Sequence, residues 1–227
     1  MKNIGCTIIE DFQRPPAELI ESFRGIPVAN IDDCMNRTAA ISGEIYPINA
    51  APLLGPALTV RVTPGDNLMF HKAMDLAKPG DVIVIDAGGL VERATLGELM
   101  ALYCKTKGVA GIIVDGAIRD VDELSEMDMP IYARGVSPNG PYKNGPGEIN
   151  LPVCIGGRVV CPGDILAGDG DGVIVIKQEE AAGLAEKAKS ITAAEEGIRK
   201  EILEKGTMTR PWLDEKLTSL KCEIRKA

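Results

Sequence analysis

The 227 residues, 45% hydrophobic and 26% charged with 25 Gly and 15 Pro, can form one sizeable domain with a real core and many turns. A net charge of −8 excludes a nucleic-acid footprint and leaves an anionic small substrate only where a local arginine or a bound cation can hold it. Six scattered cysteines without a C-x-x-C pair and a single histidine, His71, exclude a zinc cluster, a disulfide scaffold and any His-dependent triad.

The opening stretch "MKNIGCTIIEDFQRPP" lacks a signal-length apolar region, and nowhere do 18 apolar residues run together. The expectation is a soluble, reducing, cytoplasmic protein with no membrane partner. Pro15-Pro16 open a short helix, "PPAELIESFRG", that Gly25 closes, and "VANIDDCMNR" forms a second in which Asp32 and Asp33 have structural roles. "GPALTVRVTPGDN" reads as a strand and turn. A helix over "NLMFHKAMDLAKPG" follows, capped by Asp66 or Asn67 and stopped by Pro79-Gly80, with His71 facing solvent or a subunit contact.

Pro-Gly-Asp recurs at 64–66, 79–81 and 162–164 at irregular spacing, so it is a reused turn rather than a repeat. Between the second and third copies lie a strand, the helix "TLGELMALYCKTKG" and the strand "GIIVDG", a βαβ order with parallel pairing. Strands near 151–176 read as hairpins. From 178 to 205 the chain turns helical, with Leu184, Ile191, Ala194, Ile198 and Ile202 on one stripe. The final 20 residues receive no assignment, and no domain boundary falls before 178.

Chemistry collects around "GIIVDGAIRDVDEL". The strand is expected to end at Asp115-Gly116, with Arg119 and Asp120 just beyond it. Asp120 can offer oxygen to a hard cation or cap a turn; Arg119 can grip a carboxylate or enolate oxygen or form an ordinary ion pair. Thr95 and Glu98 have capping-box spacing, and the same helix start presents the amides of Glu98, Leu99 and Met100 to an anion. Ligands of a βαβ unit gather at the carboxyl ends of its strands, where these groups would converge with the loop after Asp86. No G-x-G-x-x-G or P-loop pattern is present.

"GELMALYCKTKGVAGIIVDGAIRDVDEL", followed by "ARGVSPNGPYKNGPGEINLPVCIGGRVVCPGDILAGDGDGVIVI", strongly resembles the RraA-like family over residues 25–205. That family includes 4-hydroxy-4-methyl-2-oxoglutarate / 4-carboxy-4-hydroxy-2-oxoadipate aldolases and regulators of ribonuclease E. The resemblance implies an α/β fold, a β/β/α swivelling-type layered domain over 1–177. A C-terminal helical extension over 178–227 would pack on a neighbouring subunit of a homotrimer or homohexamer. It also implies a class II, Mg2+- or Mn2+-dependent lyase cleaving an anionic 2-oxo acid to pyruvate, with oxaloacetate decarboxylation as a side activity.

The family's aldolase signature, an acid, 20 residues and Arg-Asp, falls on Glu98 and Arg119-Asp120. By that resemblance Asp120 is the metal ligand and Arg119 steadies the enolate. Glu98, one methylene longer than the aspartate often found there, holds a proton-shuttling water. The amides of Leu99 and Met100, beside Gly97, receive the pyruvyl carboxylate. The neighbouring subunit's glutamate corresponds to Glu195 or Glu196, and the helical stripe favours Glu195. A non-catalytic regulator is the competing expectation; the retained acid and Arg-Asp set and the added C-terminal helix speak against it. The methyltransferase label some family members carry is not expected, because no glycine-rich methyl-donor loop is present.

Overall fold

The computed structural model describes residues 3–225. Its three Pro-Gly-Asp turns share one construction. Each glycine adopts positive φ (80°, 91° and 87° at Gly65, Gly80 and Gly163), the conformation that the third position of a type II turn demands. Each aspartate is buried and its carboxylate closes the turn or the element after it. Asp66 accepts from Leu68 N–H (2.8 Å), Asp81 from Lys78 N–H (2.9 Å) and Asp164 from Cys161 N–H (2.7 Å).

Chain order is β1 (Cys6–Ile8), α1 (Ala17–Glu21), α2 (Val28–Cys34), β2 (Tyr46–Pro47), β3 (Leu53–Val62), α3 (Leu68–Leu76) and β4 (Val82–Asp86). Next come β5 (Ala94–Leu96), α4 (Glu98–Thr106), β6 (Gly111–Ile118), α5 (Val121–Ser125), β7 (Ile131–Val136) and β8 (Gly147–Ile149). The chain ends with β9 (Val153–Ile155), β10 (Arg158–Val160), β11 (Ile165–Asp169), β12 (Gly172–Ile176), α6 (Leu184–Lys205) and α7 (Trp212–Ser219). The central sheet runs β1-β8-β3-β4-β6-β7-β2. In it β3, β4, β6 and β7 are parallel, and two right-sized helical crossovers, α3 and α4, join the first three.

Period-2 alternation splits each central strand between two cores. Leu58, Val60, Ile83, Ile85, Ile112 and Val114 meet Phe70 and Met74 of α3 and Ala101 and Cys104 of α4. Val82, Val84 and Ile113, one residue out of phase, meet Val153, Ile155 and Val160 of the β9–β10 hairpin and Val173 and Val175 of β12. A third cluster fastens α1, α2 and the first turns of α6 to β11 and β12. Helices on one face of the sheet and strands on the other give the β/β/α layering expected. At roughly 1.5–3 kcal/mol per fully buried aliphatic side chain, these three clusters are the main stabilising term.

One expectation changes. β6 does not end at Asp115-Gly116; it runs on to Ile118, because β5 pairs with its second half (Ala94 to Ala117, Leu96 to Ile118) and buries all eight residues. Asp115 therefore sits inside, its carboxylate accepting from Arg134 Nε (2.6 Å) and Gly156 N–H (2.8 Å). On α6 the chain itself buries Leu184, Ala185 and Ala188, while Ile198 and Ile202 are exposed. The tail, which the sequence left unassigned, forms α7 and buries none of its residues.

Arg14 anchors the N-terminal segment through a two-pronged bond to Asp81 (Nε–Oδ1 and Nη2–Oδ2, both 2.7 Å), whose side chain has no exposure. Removing the cation leaves a buried carboxylate short of its partner, so Arg14→Ala is expected to lower unfolding free energy by about 3 kcal/mol. A urea titration monitored by circular dichroism checks this.

Candidate functional site

Glycine is required between β5 and α4 for a steric reason. Gly97 has extended backbone (φ −141°), open to any residue. A Cβ there would lie 2.5 Å from Asp120 Oδ2 and 3.1 Å from Arg119 Nε. The carboxylate thus occupies the space a side chain would take. Asp120 Oδ2 accepts the N–H of Glu98 at 2.9 Å, capping α4 from across the sheet. Arg119 is held by its own backbone, whose N–H donates to Leu96 O at 2.9 Å, and its Nε lies 3.6 Å from Asp120 Oδ2.

This arrangement overturns the capping-box expectation. Thr95 lies inside β5, 1% exposed, and its hydroxyl has no partner; the helix begins only after Gly97. Freed from capping, the Glu98 side chain faces a cavity. Leu99 N–H donates to nothing among the described residues, whereas Met100 N–H donates to Gly97 O at 3.2 Å. Of the two expected amides, Leu99 is the one left available to an anion.

Asp120 has φ 58°, ψ 45°, the left-handed region that a non-glycine residue occupies at a cost. The carboxylate's bond to Glu98 N–H and the start of α5, where Leu124 N–H donates to Asp120 O (3.1 Å), hold it there.

The cavity has a volume of about 450 Å3, and Gly97, Glu98, Leu99, Met100, Arg119 and Asp120 all line it. Residues absent from the expected set share the wall, among them Asn67, His71, Thr95, Glu123 and Lys143. His71, half-buried, lines the cavity. A clue lay in its spacing from Asn67, one helical turn earlier, but the facing strand that gives the pair meaning is distant in sequence. A second cleft of about 430 Å3, beside Phe23 and Leu54, has only Asp169 as an acid, and that carboxylate accepts Val28 N–H at 3.1 Å. It brings no chemistry together.

The expected trans-acting glutamate lies elsewhere in the chain. Glu195 Oε2 accepts from Asn30 Nδ2 at 2.8 Å, on the α2–α6 side, and does not line the cavity. Among the described residues no three His, Cys, Asp or Glu side chains converge as a ready metal cluster, and no helix is long and apolar enough to cross a membrane.

A layered β/β/α domain with an arginine-aspartate pair at a helix start defines a class known from other proteins. The chain belongs to the RraA-like family (Aldolase/RraA), which matches residues 28–175. It is 40% identical over 198 residues (87% of this chain, 94% of the relative) to a Halalkalibacterium halodurans protein named "Putative 4-hydroxy-4-methyl-2-oxoglutarate aldolase". Streptomyces coelicolor RraAS2, described as an unusual member of the RNase ES inhibitor RraA family, superposes with TM-score 0.74 at 29% identity, covering 83% of this chain and all of that one. The RNA-processing inhibitor RraA from Thermus thermophilis gives TM-score 0.62 at 30% identity over 66% of this chain and 92% of its own.

Burial, then the charge of Lys143, pull the His71 pKa below its ordinary 6.5, with Asp75 opposing weakly. A histidine that binds its proton less well folded than unfolded contributes stability above pH 6.5, and this is lost as pH falls below that value. Because His71 is the chain's one histidine, its imidazole NMR titration is unambiguous. The midpoint is expected below 6.5 and should rise, without reaching 6.5, in Lys143→Met.

Proposed function

We propose that this chain is a divalent-metal-dependent carbon–carbon lyase. It cleaves a 4-hydroxy-2-oxo dicarboxylate of the 4-hydroxy-4-methyl-2-oxoglutarate or 4-carboxy-4-hydroxy-2-oxoadipate type to pyruvate and a second 2-oxo acid. The observation that carries this reading is the meeting of Arg119, Asp120, Glu98 and the free Leu99 amide in one cavity.

The donor set fits a hard cation. Asp120 has one oxygen on the Glu98 amide and the other uncommitted, and Glu98 is the neighbouring carboxylate. One or two carboxylates with water and substrate oxygens suit Mg2+ (or Mn2+), which rarely uses an all-protein cage. Charge supports the same conclusion. The wall carries Glu98, Asp120 and Glu123 against Arg119 and Lys143, an excess of one negative charge. A dianionic substrate would be repelled without a cation.

When bound, the ion would polarise the 2-oxo group as a Lewis acid. The chain's own residues do the rest. Leu99 N–H, at the positive end of α4, receives the substrate's 1-carboxylate. Arg119 sets fixed positive charge beside the oxygen on which the enolate charge develops. Glu98 positions a water that takes the 4-hydroxyl proton as the C3–C4 bond breaks and returns a proton to C3 of the leaving pyruvate enolate. Oxaloacetate loses carbon dioxide through the same enolate, as a side activity.

Glu195 would reach this site only from a neighbouring subunit of a trimer or hexamer. The exposed Ile198, Ile202, Leu203 and Trp212 of the extension support such packing.

The likeness to RNA-processing inhibitors supports a second reading, a protein-binding regulator. Binding of ribonuclease E with no pyruvate release from any 2-oxo acid would favour it.

The closing experiment uses the Gly97 contact. Gly97→Ala leaves backbone geometry open but must displace Asp120 Oδ2. Misplacement on the order of 1 Å is expected to cut Mg2+-dependent pyruvate release about 100-fold while the melting temperature moves little. Near-normal turnover would remove Asp120 from the chemistry.

A further inference from the structure

The loop between β7 and β8 forms no helix or strand over 139–145, yet hydrogen bonds fix its backbone on both sides of Lys143. Before it, Tyr142 N–H donates to Gly65 O (2.9 Å) and Tyr142 O accepts from Asn67 N–H (3.0 Å). After it, Asn144 N–H (2.5 Å) and Gly145 N–H (3.1 Å) donate to one oxygen of Asp66, whose other oxygen holds Leu68 N–H (2.8 Å). Arg93 adds a bond to Gly140 O and lies over the Tyr142 ring, 4.3 Å from its centre.

Asp66 differs here from the other two aspartates of its motif. Asp81 meets Arg14 and Asp164 meets Lys177, but the Asp66 carboxylate, 3% exposed, bonds amide N–H groups alone. Two or three such bonds are enough to hold a carboxylate ionised, and these reach across 78 positions of sequence to the loop.

The residue held between these bonds is a lysine with an uncommitted side chain. Lys143 is exposed, lines the cavity with Arg119 and enters no ion pair among the described residues, whereas Arg119 Nε lies 3.6 Å from Asp120 Oδ2. Its charge is felt along the wall, since after burial it is the next cause of the lowered His71 pKa. In the cleavage chemistry the substrate's 1-carboxylate lies on Leu99 N–H, its enolate oxygen beside Arg119, and its 4-hydroxyl on the water that Glu98 positions. The carboxylate of the departing fragment is the group left over, and Lys143 is the wall's remaining cation. An ammonium is a compact charge on a flexible stem, suited to a carboxylate whose placement differs between substrates.

We propose that Lys143 reads the carboxylate on the departing fragment and so makes dicarboxylates the substrates of this site. The inference rests on the lyase reading above. That carboxylate keeps its charge from substrate to product, so Lys143 holds ground state and transition state alike, and its removal acts on KM rather than on kcat.

The test uses the full-length protein with Mg2+ and two rates. One is pyruvate release from 4-hydroxy-4-methyl-2-oxoglutarate or 4-carboxy-4-hydroxy-2-oxoadipate, whichever is cleaved faster. The other is solvent-deuterium exchange into the methyl group of pyruvate, which passes through the same enolate and involves no departing fragment. Lys143→Met is expected to lower kcat/KM for cleavage relative to exchange about 10-fold, through KM, on the order of one lost charged hydrogen bond. Lys143→Arg, which keeps the cation, should stay within about threefold of the wild-type ratio. An unchanged ratio in Lys143→Met, a loss confined to kcat, or an equal loss of both rates overturns the Lys143 assignment alone. So does a Lys143→Arg ratio as low as that of Lys143→Met. A wild-type protein that neither releases pyruvate nor exchanges its methyl protons overturns the lyase reading and this inference with it.

Discussion

The bond from Glu98 N–H to Asp120 Oδ2 joins the end of one strand to the start of a helix that precedes it in the chain, and the cavity depends on it. It exists because β5 pairs with the second half of β6, bringing Gly97 beside Asp120. It in turn holds Asp120 in a left-handed conformation that few non-glycine residues adopt, and α5 departs from there. The Arg119 main chain is fixed beside it, since its amide is committed to Leu96 O. A side chain at Gly97, a shorter β6 or a different residue at the helix start would each move the same carboxylate.

Around that bond gather three of the four unpartnered buried side-chain atoms found among the described residues, whereas buried carboxylates elsewhere in the sheet are met. Asp115, Asp81 and Asp164 are as buried as Thr95 and Asn67, yet each is met by an N–H, an arginine or a lysine. Structural carboxylates in this fold are paired because burial of a lone charge is prohibitive. The unpaired atoms of the cavity wall are neutral amide, hydroxyl and imidazole groups, whose desolvation cost the fold can carry.

The extension follows a different logic. Its first turns are part of the domain, with Leu184, Ala185 and Ala188 packed against α1, α2 and the β11–β12 hairpin. Beyond them Glu195 touches Asn30, and then Ile198, Ile202 and Leu203 of α6 and Trp212 of α7 lie in the open. Helices this exposed gain little from their own chain, since helical stability in water comes mostly from burying an apolar face.

Local chemistry was legible in the sequence. Pro-Gly-Asp announced the same turn three times and alternating Val and Ile marked the central strands, because turns and pleats act over a few neighbours. Glu98, Arg119 and Asp120, singled out by resemblance, line one cavity. What the sequence could not disclose were relations between distant segments. Thr95 and Glu98 matched a capping box, yet a carboxylate 22 positions away took that role and left the threonine in a strand. β6 outran its Asp-Gly step because an unforeseen partner strand covered it. His71 shares a cavity wall with Thr95 and Lys143, which come from two other segments. Propensity and spacing are properties of neighbours along the chain; which donor meets which acceptor across a sheet is decided only when the layers pack.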